Sequence, residues 1–113
     1  MPSKGEVKVV NATGGAKGAK PARFDLVPPQ VEWELAEHFA KGAAKYGDRN
    51  WELGVDWSLN YAAMRRHLNA WWAGEDLDEE GNKHLLAVMW HCAALLTFAE
   101  THPELDDRPK SAE

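Results

Sequence analysis

The segment from Asn82 to Thr101 is predicted to form a helix that is apolar on nearly every face. One apolar stripe repeats at helical spacing, and further apolar residues fill the other faces. The stripe consists of Leu85, Met89, Cys92, Leu96 and Ala99, and the further residues are Leu86, Val88, Trp90, Ala93, Leu95 and Phe98. A helix with so few polar faces is buried on most of them. Because 113 residues supply too few other helices to cover it, we predict a homo-oligomer, a homodimer or a homotetramer, whose helices pair across subunits.

Two further helices precede this one. The first should span residues 29–46, where apolar side chains repeat every fourth position, and Gly47 supplies a left-handed stop. The second should span residues 58–73, with Ser58 as its N-cap. The predicted fold class is therefore all-α, a small helical bundle of about three main helices that homo-oligomerisation completes.

Charge and composition divide the chain into three parts. Residues 1–23 have a net charge of +4 and few large apolar side chains, so we expect a flexible basic N-terminal arm. Within this arm, residues 6–10 can form a short strand only against a partner. Residues 24–103 contain the helical domain, and residues 104–113 form a charged tail.

The charge of the helical part excludes some classes of partner. The whole chain has a net charge of −5, so the residues after the arm carry −9. An acidic body argues against duplex nucleic acid as the main partner, and it suits divalent cations. No apolar run approaches the length that spans a bilayer, and no signal peptide is visible, so we expect no membrane contact. Cys92 is the one cysteine, which fits a cytoplasmic protein.

Two pairs of acidic residues are candidates for metal binding. Glu34 and Glu37 lie one turn apart on the first helix, and Glu75 and Asp78 belong to an acidic run between the second and third helices. Each pair alone is also explained by a solvated acidic surface. The presence of both pairs in one small domain favours Mg²⁺, which binds carboxylates, water and phosphate oxygens.

Histidines and basic residues lie close to these acids in the sequence. His67 follows Arg66 on the second helix, and His84 begins the third. Either histidine can contact phosphate or orient a carboxylate, and either can equally be a packed or surface residue. Lys45 and Arg49, together with Arg66, supply the positive charge that a polyphosphate needs, although ordinary salt bridges explain each of them separately.

The loop after the first helix contains a candidate base-binding pair. Trp51 can stack on a nucleobase and Asn50 can hydrogen-bond its edge, while packing of the loop is an equal explanation for Trp51. No nucleophilic side chain stands out, because Cys92 lies in an apolar stripe, and no glycine-rich phosphate loop or dinucleotide motif is present. An enzyme of this sequence would therefore use a water molecule held by metal and carboxylate as its nucleophile.

The succession RFDLVPP, GAAKYGDRNW and RHLNAWWAGEDLDEEGNKHL, followed by an apolar helix, resembles the phage-type dATP/dGTP diphosphohydrolase (MazZ-like) domain. That family is similar to the all-α MazG-like nucleoside triphosphate pyrophosphohydrolases. The resemblance covers about residues 22–101. The residues that match the family's pattern are Lys45, Asn50, Trp51, Arg66, His67, Glu75, Asp78 and His84.

The resemblance implies a helical homo-oligomer that uses Mg²⁺ or Mn²⁺. It implies cleavage of a purine deoxynucleoside triphosphate, dATP or dGTP, to the monophosphate and pyrophosphate, by a phage or prophage protein in the host cytoplasm. Two departures concern the metal ligands. MazG-like enzymes carry EExxE where Glu34 and Glu37 give only ExxE, and here the ExxD of Glu75 and Asp78 follows Gly74 at a helix end.

The sequence thus predicts a metal-dependent hydrolase. Its predicted metal ligands are Glu34, Glu37, Glu75 and Asp78, and its predicted catalytic residues are Glu37, Glu75, Asp78 and His67. Its predicted substrate-binding residues are Lys45, Arg49, Asn50, Trp51, Arg66, His67 and His84. The alternative is a helical oligomer that binds a nucleotide or a protein without turnover. Hydrolysis products distinguish the two, because the alternative yields none.

Overall fold

The computed structural model describes residues 6–110, which fall into two compact units, one ending at Glu32 and one beginning at Trp33. Residues 1–5 of the predicted basic arm and residues 111–113 of the predicted charged tail lie outside the described residues. The predicted division of the chain into three parts stays a prediction. The element that links the two units is the first helix, α1 (Pro29–Tyr46), which contains the boundary.

The first unit contains a β-hairpin. Strand β1 (Val7–Val10) pairs antiparallel with β2 (Ala16–Ala19), so that Val7 lies opposite Ala19 and Val10 opposite Ala16. The predicted strand at residues 6–10 does find a partner, and that partner belongs to the same chain. The hairpin departs from the predicted all-α fold class, although the described residues are mostly helical.

The second unit is helical. Besides most of α1 it contains α2 (Trp57–Trp72) and α3 (His84–Thr101), so the prediction of three main helices is confirmed. Gly47 ends α1 with φ of +97°, as the sequence indicated. Two short 3₁₀ segments, Asn50–Leu53 and Pro103–Leu105, follow α1 and α3.

The predicted N-cap of α2 is wrong. Helix α2 begins at Trp57 with Asp56 as the N-cap residue, so Ser58 lies one position inside the helix. The Ser58 backbone N–H donates to Asp107 Oδ1 over 2.8 Å, and the Ser58 hydroxyl donates to Asp107 Oδ2. A carboxylate from the tail thus accepts a backbone N–H of the first turn that has no acceptor within the helix. The guanidinium of Arg108 lies 4.9 Å from the centre of the Trp57 ring and adds a second contact.

Helix α3 buries a different stripe from the one that its sequence suggested. The buried or half-buried stripe consists of His84, Ala87, His91, Ala94 and Phe98, and it faces α2 and the loop after α1. The predicted stripe is largely open: Leu85, Cys92, Leu96 and Ala99 are exposed, and Leu96 retains 75% of its accessible surface. The buried apolar core of the described residues is correspondingly small and consists of Ala87, Ala94 and Phe98.

Helix α3 is also long and apolar enough, by length and composition, to cross a membrane, although 22% of it is buried inside the protein. The expectation that no segment approaches a membrane-spanning length is therefore corrected. Polar residues such as His84, His91 and Thr97 interrupt the apolar run, so that counting uninterrupted residues missed it. A single such helix is weak evidence, because the core helix of a water-soluble protein has the same length and composition.

Candidate functional site

A cavity of about 890 Å³ lies within the second unit. Its walls come from α1, the loop that follows α1, α2, the acidic loop between α2 and α3, and α3 itself. This volume falls in the usual range for sites that bind small molecules and cofactors. The side chains on the walls form an aromatic region, a group of three cations, a group of four acidic residues and a set of histidines. The acidic residues are Asp48, Glu52, Asp78 and Glu80.

The aromatic region is centred on Trp51. Its ring packs against three others, with centroid distances of 5.9 Å to Phe39, 6.3 Å to Trp90 and 6.0 Å to Phe98. The four rings join α1, the following loop and α3, and all four line the cavity. The packing interpretation of Trp51 is therefore seen in the structure, because the ring anchors its loop against α1 and α3. Stacking on a nucleobase stays a prediction.

Three cations line the cavity. Lys41 donates to Asn82 Oδ1, Lys45 lies 3.9 Å from a Glu80 carboxylate oxygen, and Arg49 donates to Glu52 over 2.9 Å. These pairs are largely exposed to solvent, so each contributes little to stability and can be exchanged for a ligand's charge. Arg49 also has a left-handed backbone, with φ of +60°, which is uncommon for a residue with a side chain.

Asp78 is the predicted carboxylate that lines the cavity. Its Oδ1 accepts the backbone N–H groups of Glu80 and Asn82, both over 2.9 Å, and so holds the acidic loop in a tight turn. Partial burial raises the pKa of Asp78, but these two hydrogen bonds lower it more, and its pKa lies below the usual value. Asp78 is therefore ionised at neutral pH.

Two of the predicted histidines contact each other. The Nδ1 atoms of His67 and His84 are 2.8 Å apart, which is a hydrogen-bond distance. His67 lines the cavity, whereas His84 lies behind it and is buried, with 7% of its surface accessible. Burial and then the neighbouring His84 lower the pKa of His67, so its ring is neutral at pH 7.

His91 and Asn60 form a second polar pair between α2 and α3. The His91 Nδ1–H donates to Asn60 Oδ1 over 3.0 Å, and both residues line the cavity. Burial is the main reason that the pKa of His91 falls to about 4, and the nearby rings of His67 and His38 lower it further. A hydrogen bond through Nδ1–H leaves Nε2 as the acceptor of this neutral ring.

The predicted site residues fall into three groups. Those that line the cavity together are Lys45, Arg49, Asn50, Trp51, His67 and Asp78. His84 and Glu75 lie next to this group, because His84 contacts His67 and lies 3.9 Å from a Glu75 oxygen. The remaining predicted residues, Glu34, Glu37 and Arg66, neither line the cavity nor contact His67 in this way.

The four predicted metal ligands do not converge within one protein chain. Glu34 forms an ion pair with Lys83, Glu37 is exposed, and Glu75 faces His84 instead of Asp78. Across residues 6–110, no three or more Asp, Glu, His or Cys side chains are arranged to hold a metal ion. The donor set of a single chain therefore does not fit a protein-only cage of several carboxylates.

Several cavity residues were not indicated by the sequence. His38 is half-buried on the cavity wall, and burial followed by Lys41 lowers its pKa. Asn60 and Lys41 also line the cavity. A helical spacing signal was available for His38, because it lies four residues after Glu34 and seven before Lys45 on one face of α1.

The cavity therefore combines a cluster of aromatic rings with three cations and four acidic residues. The chain belongs to the family described as dATP/dGTP diphosphohydrolase, N-terminal, whose model matches residues 11–108. No curated protein and no solved structure matches the chain.

The low pKa of His91 makes folding stability depend on pH. An unfolded histidine binds a proton near pH 6.5, whereas folded His91 binds it only near pH 4. Stability is therefore present above pH 6.5 and is lost as the pH falls from 6.5 toward 4. After allowance for partial solvent access, we expect His91 to contribute about 1–2 kcal/mol to this loss. Thermal melts of the wild type and His91→Gln between pH 7.5 and 4.5 measure it.

The control for this experiment is His102→Gln. Hydrogen bonds to Glu104 and to the backbone of Glu52 raise the pKa of His102, so this ring stabilises the fold at low pH. His91→Gln should flatten the fall in melting temperature on acidification, and His102→Gln should steepen it. Equal slopes for the wild type and His91→Gln would contradict the assignment.

Proposed function

We propose that the cavity binds a purine deoxynucleoside triphosphate, dATP or dGTP, and hydrolyses it to the monophosphate and pyrophosphate. The observation that carries this proposal is that one cavity combines the Trp51 ring cluster, three cations, Asp78 and a neutral His67. The family's description as dATP/dGTP diphosphohydrolase supports the same reaction. The cavity would then offer aromatic rings to the nucleobase, cations to the triphosphate and His67 to the attacking water.

The aromatic wall and the cationic wall of the cavity bind different parts of the substrate. The Trp51 ring offers a stacking surface to the base, and Asn50 on the same loop offers an amide to its edge. Lys41, Lys45 and Arg49 leave their exposed partners and bind the phosphate oxygens. Arg66 acts at longer range, because its charge lowers the pKa of both His67 and His91.

The proposed cation, Mg²⁺ or Mn²⁺, enters the cavity with the triphosphate. Magnesium keeps several waters and uses one or two carboxylates together with substrate phosphates, which is a demand that Asp78 can meet. Bound there, the cation would lower the negative charge on the phosphates. Glu34, Glu37 and Glu75 as further ligands stay predictions, since they do not join Asp78 within one chain.

His67 is the proposed proton acceptor. A water molecule attacks the α-phosphorus, the new O–P bond forms, and the bond to the β-phosphate oxygen breaks with its electron pair on pyrophosphate. The water's proton passes to the cavity-facing nitrogen of His67, which is neutral at pH 7 and so able to accept it. The cations neutralise the charge that builds up on the leaving pyrophosphate.

Product analysis tests the reaction. Incubation of the wild type with dATP or dGTP and Mg²⁺, resolved by chromatography, should give the monophosphate and pyrophosphate in equal amounts. Replacement His67→Gln should lower kcat by about 10²- to 10⁴-fold, the usual contribution of a general base. The control His102→Gln alters a histidine that does not line the cavity and should keep wild-type kcat. Orthophosphate as the sole product, or no product, would contradict the proposal.

The alternative function is binding without turnover. The absence of a multi-carboxylate metal cluster in the described part of one chain favours it. It predicts that a triphosphate raises the melting temperature while no product forms. The same incubation, followed by a thermal melt, therefore separates the two functions.

The metal proposal has its own test. Asp78→Asn removes the negative charge but keeps an oxygen that accepts the N–H groups of Glu80 and Asn82, so the turn should persist. We expect this variant to require about tenfold more Mg²⁺ for half-maximal rate, in line with loss of one charged ligand. Glu79→Gln removes one charge from the same exposed loop and should leave that concentration unchanged. Equal Mg²⁺ requirements for Asp78→Asn and the wild type would argue against Asp78 as a ligand.

We also propose that the protein is a homo-oligomer, a homodimer or homotetramer, in which a second copy covers α3. The support is the open stripe of Leu85, Cys92, Leu96 and Ala99, which is continuous along the helix. Burial of such a stripe is favourable by about 25 cal/mol per Å² of apolar surface. The buried His84 and the half-buried His91, on another side of α3, make a lipid environment a poor alternative.

Sedimentation measurements test this assembly. Leu96→Lys places a charge in the open stripe and should shift the protein toward monomer at micromolar concentration. Thr101→Lys adds the same charge at the end of the helix, outside the stripe, and should leave the assembly intact. A wild type that sediments as a monomer would refute the proposal.

For localisation we propose the cytoplasm, and specifically the host cytoplasm of a phage or prophage protein, without duplex nucleic acid or membrane as partners. The acidic body and the lone Cys92 support the intracellular part of this proposal. The phage origin is supported only by the resemblance of the motifs.

A further inference from the structure

The contact between His67 and His84 permits only one arrangement of protons at a time. Two Nδ1 atoms lie 2.8 Å apart, so one of them carries a hydrogen and donates, and the other accepts through its lone pair. If His84 donates, neutral His67 carries its proton on Nε2 and cannot accept another there. If His67 donates, its Nε2 has a free lone pair. The direction of this one hydrogen bond therefore decides whether His67 is a base toward the cavity.

Glu75 lies where it can set that direction. The Nε2 atom of His84 is buried and has no hydrogen-bond partner in the described chain, and the closest carboxylate oxygen, from Glu75, is 3.9 Å away. A buried polar atom without a partner is costly, so a hydrogen bond from Nε2–H to Glu75 is favourable. The Glu75 side chain is 70% exposed and is free to close this gap to about 3 Å.

The backbone already holds the three residues in position. The Glu75 N–H donates to the carbonyl of Ala70 at the end of α2, and the His84 N–H donates to the carbonyl of Asp76, each over 3.0 Å. The start of α3 is thus tied to the residue that follows Glu75. The backbone is thus fixed on both sides of the gap, and the exposed Glu75 side chain is the part that would move to complete the contact.

We propose that Glu75 and His84 are positioning residues that fix the tautomer of His67 and keep its Nε2 as the proton acceptor of the cavity. Glu75 holds the hydrogen of His84 on Nε2, His84 Nδ1 is then an acceptor, and His67 must donate through Nδ1. This inference rests on the proposed hydrolysis, and it gives Glu75 a role different from metal ligation.

The same chain of contacts stabilises the product of proton transfer. When His67 Nε2 takes the proton of the attacking water, the ring becomes a cation that donates through Nδ1–H to His84. His84 in turn donates through Nε2–H to the Glu75 carboxylate. The carboxylate therefore stabilises the positive charge of His67 through the neutral ring of His84. No further reactant is needed, because the proton leaves to solvent after pyrophosphate has departed.

The charges around His67 show why this second carboxylate matters. The groups that face the histidine pair from every surrounding element are His38 on α1, Arg66 on α2, Glu75 and Asp78 on the acidic loop, and His91 on α3. Arg66 and the neighbouring rings disfavour a cation at His67, while Asp78 favours it. Glu75, acting through His84, adds the second negative charge.

Nitrogen-15 NMR of histidine-labelled protein tests the proton arrangement without any substrate. At pH 7.5 the wild type should show His67 protonated on Nδ1 and His84 protonated on Nε2. Glu75→Ala should scramble this pattern, Glu75→Gln should keep it because the amide oxygen still accepts, and Glu79→Gln should leave it unchanged. The reverse pattern in the wild type, with His84 donating to His67, would overturn the inference even if hydrolysis were observed.

Kinetics then test the consequence for turnover. Glu75→Ala should lower kcat by about tenfold or more with little change in KM, and Glu75→Gln should recover part of that loss. The acid limb of the kcat/KM profile should move to lower pH in both variants, because a negative charge that favours the His67 cation has been removed. The Mg²⁺ requirement should stay at the wild-type value.

The outcomes separate this inference from the function on which it rests. A rise in the Mg²⁺ requirement of Glu75→Gln, with an unchanged pH profile, would make Glu75 a metal ligand and overturn the positioning role. No hydrolysis by the wild type would overturn the proposed function, and with it any role for His67 as a base, whatever tautomers the spectra show. Helical content measured by circular dichroism identifies any variant that has lost its fold.

Discussion

The contact between α2 and α3 is the interaction on which the rest of the second unit depends, and polar side chains make much of it. Asn60 meets His91 and His67 meets His84, with Ala87 and Ala94 on the same face of α3. Hydrogen bonds are directional, so these pairs fix the register of the two helices more strictly than apolar packing alone. The same register turns His67 toward the cavity. The side chains that pack α2 against α3 therefore include His67, which is the proposed proton acceptor.

The sequence predicted the helices well, because their limits depend on local signals. Gly47 ends α1 through its own backbone freedom, and Pro103 ends α3, and neither effect needs tertiary information. The buried side of α3 could not be predicted in the same way. Apolar residues occupy both sides, and the helix turns its histidines inward, against the usual order of burial. Ser58 failed as a cap because Asp107, distant in sequence, binds it instead.

Residues of the candidate site could be predicted where their positions depend only on spacing along one helix or within one loop. Lys45 and Trp51 both reach the cavity because Lys45 lies in the last turn of α1 and Trp51 lies in the loop directly after it. The carboxylates were harder, since their directions depend on how the acidic loop folds. One carboxylate oxygen of Asp78 accepts the hydrogen bonds of the turn, and Glu75 faces a histidine. The sequence shows only a run of acidic residues and does not distinguish these two roles. Helical periodicity carries no information about such a loop.

Arg49 illustrates what a cation at the cavity rim requires of the backbone. A side chain at φ of +60° destabilises the loop by about 1 kcal/mol relative to glycine, which adopts this conformation freely. The chain places glycine at Gly47 and Gly54 on either side, where the backbone is also left-handed, and yet retains a guanidinium between them. This segment therefore keeps a positive charge on the cavity wall at a cost in backbone conformation, and a glycine at this position would relieve the strain only by removing that charge.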